Sequence, residues 1–519
     1  MNQQHGADTS VAAPGKGLRS GSLGLVSSIV LGISATAPAY SVAASVGFIV
    51  LAVGTSAPAM LLVAFVPMMC VAVAFAQLNR VDPDCGTTFT WAARAFGPRT
   101  GWLGGWVMTL ASVIAMAYLA GIAASYLFLL VGADSLAASP GATTAAGLAL
   151  ITAMTLICWR GIELSIWVQR VLLCVELVML VMFAATALIK VGAGHAPAGH
   201  LTPTAAWFNP FEAGSLSTIT NGVLVAVFVY WGWDSAISVN EETEQPRRNP
   251  GRAAVISMAL LIGIFLLTTV AAQAYAGLGD SGIGLRNPDT SADLLAVVGE
   301  SVLGTAWGKL LILAVLSSAI AALQTGILPT ARTVLAMATR KALPDRLGMM
   351  NSRYLTPSVA TFTIGGASAA LFVAFRYVEG GKLAADAIAS IGLLIAFYYA
   401  LVGYTCVWTL RRELTRSVKD FTLKAALPLV GALALTAVLA ESTWQMRSPD
   451  YGATSIGGIG GVLLIGGGTI LLGVLLMLAY SVRRPDFFRN KLPAAATEAD
   501  PGSEPLPVSV LTPTATERG

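Results

Sequence analysis

Two carboxylates sit where an apolar chain has least use for them: Asp234 in "YWGWDSAIS" and Glu176 in "VQRVLLCVELVML". An acid at spanning depth in hydrocarbon costs several kcal/mol unless it lines a cavity or finds a partner. Each is therefore a candidate for holding an ammonium group or carrying a proton. Counting about 1.5 Å per residue from Glu163 puts Glu176 about 20 Å along its run, near the midplane. Trp231 and Trp233 flank Gly232 and suit an aromatic lid or a cation–π wall, with interfacial anchoring as the bland alternative. Backbone carbonyls around Tyr230 to Trp233 suit an ammonium group if the helix opens there.

A second stretch, "GISATAPAYS", holds Gly32, Ile33, Ser34, Ala35 and Thr36 ahead of Pro38. A helix broken at that point offers free N–H groups and the hydroxyls of Ser34 and Thr36 to a carboxylate, helped by the positive end of a half-helix. The competing reading is a small-residue packing face. Further on, "EETEQPRRNP" places Glu241 and Glu242 at a helix C-terminal end, where the macrodipole disfavours acids. They are expected to pair with Arg94 or Arg99 as a gate network, with Arg332 in the same group.

These residues need an apolar scaffold, and the composition supplies one. Of 519 residues 55% are hydrophobic and only 11% charged, against about a quarter charged in a soluble domain. About twelve runs are long enough to cross a hydrocarbon core: roughly 24–52, 57–78, 101–132, 142–160, 163–190, 213–240, 253–276, 302–340, 358–378, 384–410, 424–441 and 455–482. The run at 302–340 is too long for one straight crossing, so its last turns either extend beyond the bilayer or break near Pro329. One set of loops collects Arg80, Arg94, Arg99, Arg160, Arg247, Arg248, Arg340, Arg411 and Arg412, while the other set is nearly bare. Both termini are therefore expected in the cytoplasm, with the chain multi-pass in the cytoplasmic membrane.

Residues 1–22 and 487–519, rich in Pro, Ala, Ser and Thr at the C-terminal end, are expected to be disordered. The five cysteines lie mostly in or beside apolar runs without paired spacing, and read as core residues. His195 and His200 fall in a loop and read as solvated. No metal, cofactor or nucleic-acid partner is expected, and there is no Walker A motif, no HExxH and no soluble insertion large enough to be an enzyme domain.

Broken helices at corresponding positions of two repeats point to a transporter's central site. The two interrupted runs are the first and the sixth, which correspond if the first ten form two five-helix repeats of inverted topology. Together with "PDCGTTFTWAARAFGPRTGWLGGW", "YWGWDSAISVNEETEQPRRNPGRA" and "LQTGILPTARTVLAMATRKALP", the first block resembles the amino acid/polyamine/organocation superfamily of secondary permeases. That resemblance implies an all-α polytopic membrane protein with a LeuT-like 5+5 inverted repeat: a transporter domain over 23–486, with repeats at about 24–190 and 213–410 and two added helices at about 424–482. It implies a substrate held between the unwound middles of runs one and six, in contact with Gly32 to Thr36 and Tyr230 to Asp234. Some proton-coupled relatives carry a lysine at what looks like position 176, where this chain has Glu176. That departure puts the lysine-based coupling scheme in doubt; coupling or gating is assigned to Asp234, Glu176, Trp231, Glu241, Glu242 and Arg332, with transport by alternating access as proton-coupled symport or exchange. The expected substrate is an amino acid, the alternative is a polyamine or other cationic amine, and a receptor that binds without transporting is the reading from another class.

Overall fold

The computed structural model describes residues 16–378, 382–489 and 492. Its first helix, α1 (Leu25–Ala35), stops at Thr36 because Pro38 follows. A proline lacks the N–H that would bond four residues back, its ring collides with that carbonyl, and it pushes the preceding residue out of the α region. Ala37 accordingly takes the left-handed conformation at φ 47°, and Pro38 becomes the first residue of α2 (Pro38–Val53). Gly54, at φ 61°, ends α2 ahead of α3 (Ala57–Val81).

The chain continues with α4 (Thr87–Phe96), α5 (Pro98–Leu130), α6 (Pro140–Arg160), α7 (Ile162–Gly192) and α8 (Leu216–Val229). After these come α9 (Asn249–Ala276), α10 (Leu294–Leu303), α11 (Thr305–Thr339), α12 (Ser358–Tyr377), α13 (Lys382–Leu410), α14 (Leu427–Gln445) and α15 (Gly461–Arg483). Among the described residues the only strands are the two-residue pair Ser455–Ile456 and Ile459–Gly460.

Ten stretches are long and apolar enough to cross a membrane among the described residues, so the protein is an all-α polytopic membrane protein. The first, Leu25–Val81, is 57 residues long, about 85 Å as helix against a core of about 30 Å. It holds at least two crossings. By contrast α8 has only 14 residues, about 21 Å, and falls short alone. Dividing the first and adding the sixth, with its irregular continuation, gives twelve.

The long run near the middle follows the first of its two expectations, extending past the bilayer without a break at Pro329. Gly304, at φ 80°, separates α10 from α11, and α11 then runs unbroken for 35 residues with Pro329 inside it. Its length, about 52 Å, carries it past the hydrocarbon. α11 and α5 pack on each other along much of their length, α9 lies on α3, and α1 is enclosed by α9, α7, α11 and the turn Trp233–Ala236. Small residues permit this closeness: a Cβ on Gly101 would lie 2.4 Å from the Ala93 Cβ, so α4 and α5 touch backbone to backbone there.

Part of the expected N-terminal tail is ordered. Ser22 and Leu23 donate their N–H groups to the Glu242 carbonyl at 2.9 and 3.1 Å, Glu244 N–H donates to the Leu23 carbonyl at 2.8 Å, and Leu23 is 1% exposed. Residues 16–22 are thus a strap on the segment after α8. At the other terminus, Phe487 is buried against Phe89 in a short helix, Pro485–Arg489. The remainder of both tails lies outside the described residues.

Candidate substrate site

The two interruptions meet. α8 ends at Tyr230, Gly232 takes φ 120°, and a 3-10 turn follows at Trp233–Ala236. A Cβ on Gly232 would lie 2.4 Å from the Ala35 carbonyl oxygen, so the residue opens the backbone and lets it press on the end of α1. Gly32 faces the same turn from one helical turn back, its Cβ position 2.7 Å from Ser257 Oγ and 3.4 Å from the Trp233 carbonyl.

Beside this contact lies a cavity of about 50 Å³, bounded by Ala35, Trp231, Gly232, Asp234 and Ser235, by Met108, Ser112 and Met116 of α5, by Thr325, Pro329 and Thr330 of α11, and by Tyr398 of α13. That is small beside ligand pockets of roughly 300–1,000 Å³. It has room for little more than water and must widen for a larger guest.

Asp234, expected to contact substrate, lines this cavity. Its Oδ1 accepts from Tyr399 Oη at 2.9 Å and its Oδ2 from Tyr398 Oη at 3.3 Å, while Tyr398 Oη in turn accepts from Trp231 Nε1 at 2.6 Å. The tyrosine pair was not among the sequence-predicted residues. Its signal in the sequence is weak: "FYYA" is an ordinary aromatic run, and tyrosines in apolar helices usually read as packing.

Several predicted residues face elsewhere. Tyr230 donates to the Leu61 carbonyl at 3.1 Å and packs on Phe65 and Phe265. Trp233 is fully buried with its ring edge-on to Phe75, away from the cavity, so of the two tryptophans Trp231 alone lines it. Thr36 turns its hydroxyl back to the Ile33 carbonyl at 2.7 Å. Ile33 packs in the apolar core, and Ser34 Oγ is buried without a partner.

The expectation of free N–H groups at the break is corrected. Thr36 and Ala37 donate to the carbonyls of Ile33 and Ser34 at 3.0 and 3.1 Å. Ala39 N–H donates to Glu176 Oε1 at 2.6 Å, and Tyr40 N–H to Ser318 Oγ at 3.2 Å. Ser318 Oγ also donates to Glu176 Oε1 at 2.7 Å. Glu176 is therefore a cap on α2, reaching from α7 and accepting one backbone N–H and one hydroxyl.

At the end of the bundle that carries the arginine-rich loops, Glu242 and Arg332 form a fully buried bidentate pair. Nε reaches Oε2 at 2.8 Å and Nη2 reaches Oε1 at 3.0 Å, and Nη1 donates to the Leu328 carbonyl at 3.1 Å. The expected partners Arg94 and Arg99 are not used: Arg94 pairs with Asp82, and Glu241 pairs with Lys16 of the strap. Lys16 and Arg332 lie within bonding distance of the two acids, and Arg94 is held by Asp82 instead.

Lys16 also lies 3.0 Å from Asp84, which pairs in turn with Arg340. Asp84, Cys85 and Glu241 bring ligand atoms within 4.8 Å of one another, the spacing of a metal site, and the cation among them is the Lys16 ammonium. Burial works against the Asp84 charge, but Lys16 and Arg340 outweigh it and hold its pKa well below the carboxylate range. Burial likewise opposes the Lys16 charge, and Asp84 ahead of the other neighbours reverses that, leaving its pKa above the ordinary lysine value.

The signs give a pH window. Stability from a depressed acid is present above its unfolded pKa of about 3.9 and is lost as pH falls through the folded value. Stability from a raised lysine is complete below about 10.4 and lost only above the folded value. The cluster is thus expected to be indifferent to pH between about 5 and 9. Lys16→Met should lower the thermal midpoint throughout that window, measured in detergent at several pH values; a midpoint unchanged at all of them would mean the cluster contributes nothing. At the opposite end Tyr126 donates to Asp293, which caps α10 by accepting from Ala296 N–H at 3.1 Å. Four of the cysteines are buried as expected, and Cys174 is exposed instead.

A membrane bundle with two broken helices meeting at an acid-lined cavity defines a transport-type protein. Residues 23–478 match the family described as amino acid permease, and the chain belongs to that family. It is a permease and not an enzyme. The chain is 25% identical over 435 residues to the branched-chain amino acid permease BcaP of Lactococcus lactis, covering 80% of this chain and 84% of that one. It is 24% identical over 375 residues to the low-affinity putrescine importer PlaP of Escherichia coli, covering 71% and 76%. The arginine/ornithine antiporter of Latilactobacillus sakei is 24% identical over 312 residues, covering 57% and 61%.

Proposed function

We propose that the chain is a secondary transporter that moves an amino acid or amine across the cytoplasmic membrane by alternating access, coupled to protons or working by exchange. In this reading residues 24–190 and 213–410 are inverted repeats, both termini are cytoplasmic, and the substrate sits where α1 and the segment after α8 break. The observation that carries the reading is the contact of Gly232 with Ala35 beside the Asp234 cavity. Irregular backbone at membrane depth survives only in protein or around a cavity, and this cavity has a buried acid aimed into it. The relatives support both chemistries, since one is named for branched-chain amino acids and another for putrescine.

The latch of Glu242 and Arg332, with Lys16 behind it, closes the cytoplasmic end in this scheme, and Tyr126 with Asp293 closes the other. Opening either end exposes the same cavity. Protonation of Asp234 would change the charge of the occupied cavity and bias which end opens.

Proteoliposome counterflow with a labelled amino acid and amine panel, with and without an imposed pH gradient, tests this. Asp234→Asn is expected to cut uptake by about thirtyfold or more, the cost of removing one partner of a desolvated charged contact being at least about 2 kcal/mol. Uptake that ignores the pH gradient removes proton coupling and leaves exchange. Ligand binding without counterflow overturns transport in favour of a receptor.

A further inference from the structure

We propose that Met116 is a specificity-determining residue of the cavity: seated on Gly326, it limits the length of the aliphatic body that a bound amine or amino acid brings with it. This rests on the cavity being the substrate site. Met116 of α5 and Gly326 of α11 both line it, and they meet across the seam along which those two helices pack. A Cβ on Gly326 would lie 2.6 Å from Met116 Cγ and 2.8 Å from its Sδ. The methionine therefore fills the space that any side chain at 326 would need, and it does so at the wall of the cavity.

A cavity of about 50 Å³ needs a wall that yields before a guest larger than water enters. Much of the lining is tied. Trp231 donates to Tyr398 at 2.6 Å and Tyr398 to Asp234 at 3.3 Å, while the Gly232 backbone sits on the Ala35 carbonyl. Thr325 bonds its hydroxyl to the carbonyls of Ala321 and Ala322 at 3.0 and 3.1 Å. Met116 is held far more loosely: its Sδ lies 3.8 Å from Ser368 Oγ, and that hydroxyl also donates to the Ile364 carbonyl at 2.9 Å. A thioether is a weak acceptor, and an unbranched side chain with three rotatable bonds repacks at low cost. With a substrate ammonium held at Asp234, the aliphatic body must lie on the apolar lining, which is Ala115, Leu119 and Ala322 beside Met116. Of these Met116 has the longest side chain, so the room for that body depends on how far Met116 withdraws.

Straight-chain series isolate body length: alanine, 2-aminobutyrate, norvaline and norleucine as amino acids, and ethylamine, propylamine, butylamine and pentylamine as amines. With the purified full chain, ligand-induced thermal shifts give affinities and counterflow confirms passage. The readout is the affinity ratio between the longest and the shortest member of the better-bound series. One methylene against an apolar wall is worth about tenfold or more. Met116→Ala should therefore move that ratio at least about tenfold toward the long member. Gly326→Ala should move it at least about tenfold toward the short one, because the new Cβ drives Met116 into the cavity. Position 326 lies inside α11, where alanine is the better helix former, so Gly326→Ala decides alone should Met116→Ala fail to fold. In the double variant the tightening should largely disappear, since the side chain that Gly326→Ala displaces is gone. A ratio unmoved in either folded single variant, or moved against these directions, overturns the role of Met116 and leaves the transport reading standing. Full tightening retained in the double variant overturns it too, by placing the limit at residue 326 itself. No binding or counterflow by any member of either series in wild type overturns the cavity as the substrate site, and the role of Met116 with it.

Discussion

Arg332→Met is expected to lower the apparent thermal midpoint sharply and to abolish counterflow. The guanidinium and Glu242 are 0% and 1% exposed, so removing one leaves a buried charge with no counterion. That costs about 3–5 kcal/mol, whereas replacing both partners by apolar groups of similar size is often neutral. The double variant Arg332→Met with Glu242→Leu should therefore regain most of the midpoint, and the cycle of single and double variants isolates the pairing energy. Transport should stay absent in the double variant, because a latch that cannot re-form cannot alternate. Stability restored without transport separates gating from folding. A single variant as stable as wild type would mean that the pair is not the buried bridge described above.

Gly232→Ala should be severely damaging for a one-carbon change. At φ 120° an alanine is strained wherever it stands, and its Cβ would lie 2.4 Å from the oxygen and 2.7 Å from the carbon of the Ala35 carbonyl. Both clashing atoms are backbone, so no rotamer change relieves them. An alanine where φ is positive costs more than about 1 kcal/mol before any overlap is counted. The expected result is loss of counterflow, with the midpoint falling or the protein not recovered. Gly263→Ala is the control: it lies in α9 with nothing within 4 Å of its Cβ position. There the helix propensity of alanine should hold or raise stability by up to about 1 kcal/mol. Equal behaviour of the two variants would show that the contact with α1 is not required.

Much of the fold was legible because lipid narrows the choices. Long apolar runs must be helices, Pro38 must interrupt one, and charged residues in short loops report sidedness. Asp234 and Gly232 could be singled out for the same reason, as neither has a use in a plain span. The family blocks pointed to an amino acid permease, and the match over residues 23–478 bears that family out.

What was not legible was partner choice across distant segments. Glu176 was recognisable as costly, but its ligand is an N–H 137 positions away. Lys16 looked like part of a disordered tail because a polar leader has no periodicity, and its order comes from Asp84 and Glu241, which other helices bring to it. Tyr398 and Tyr399 were indistinguishable from packing aromatics until α13 was set against Asp234.

The sequence by itself thus determined that this chain lives in lipid, where its helices break, and which acids are out of place, since each follows from local chemistry against a known solvent. Only the tertiary structure decided which donors at the broken helix are already taken. A backbone donor is free or filled according to what packs on it, and Glu176 reaches Ala39 only because α7 lies beside the break.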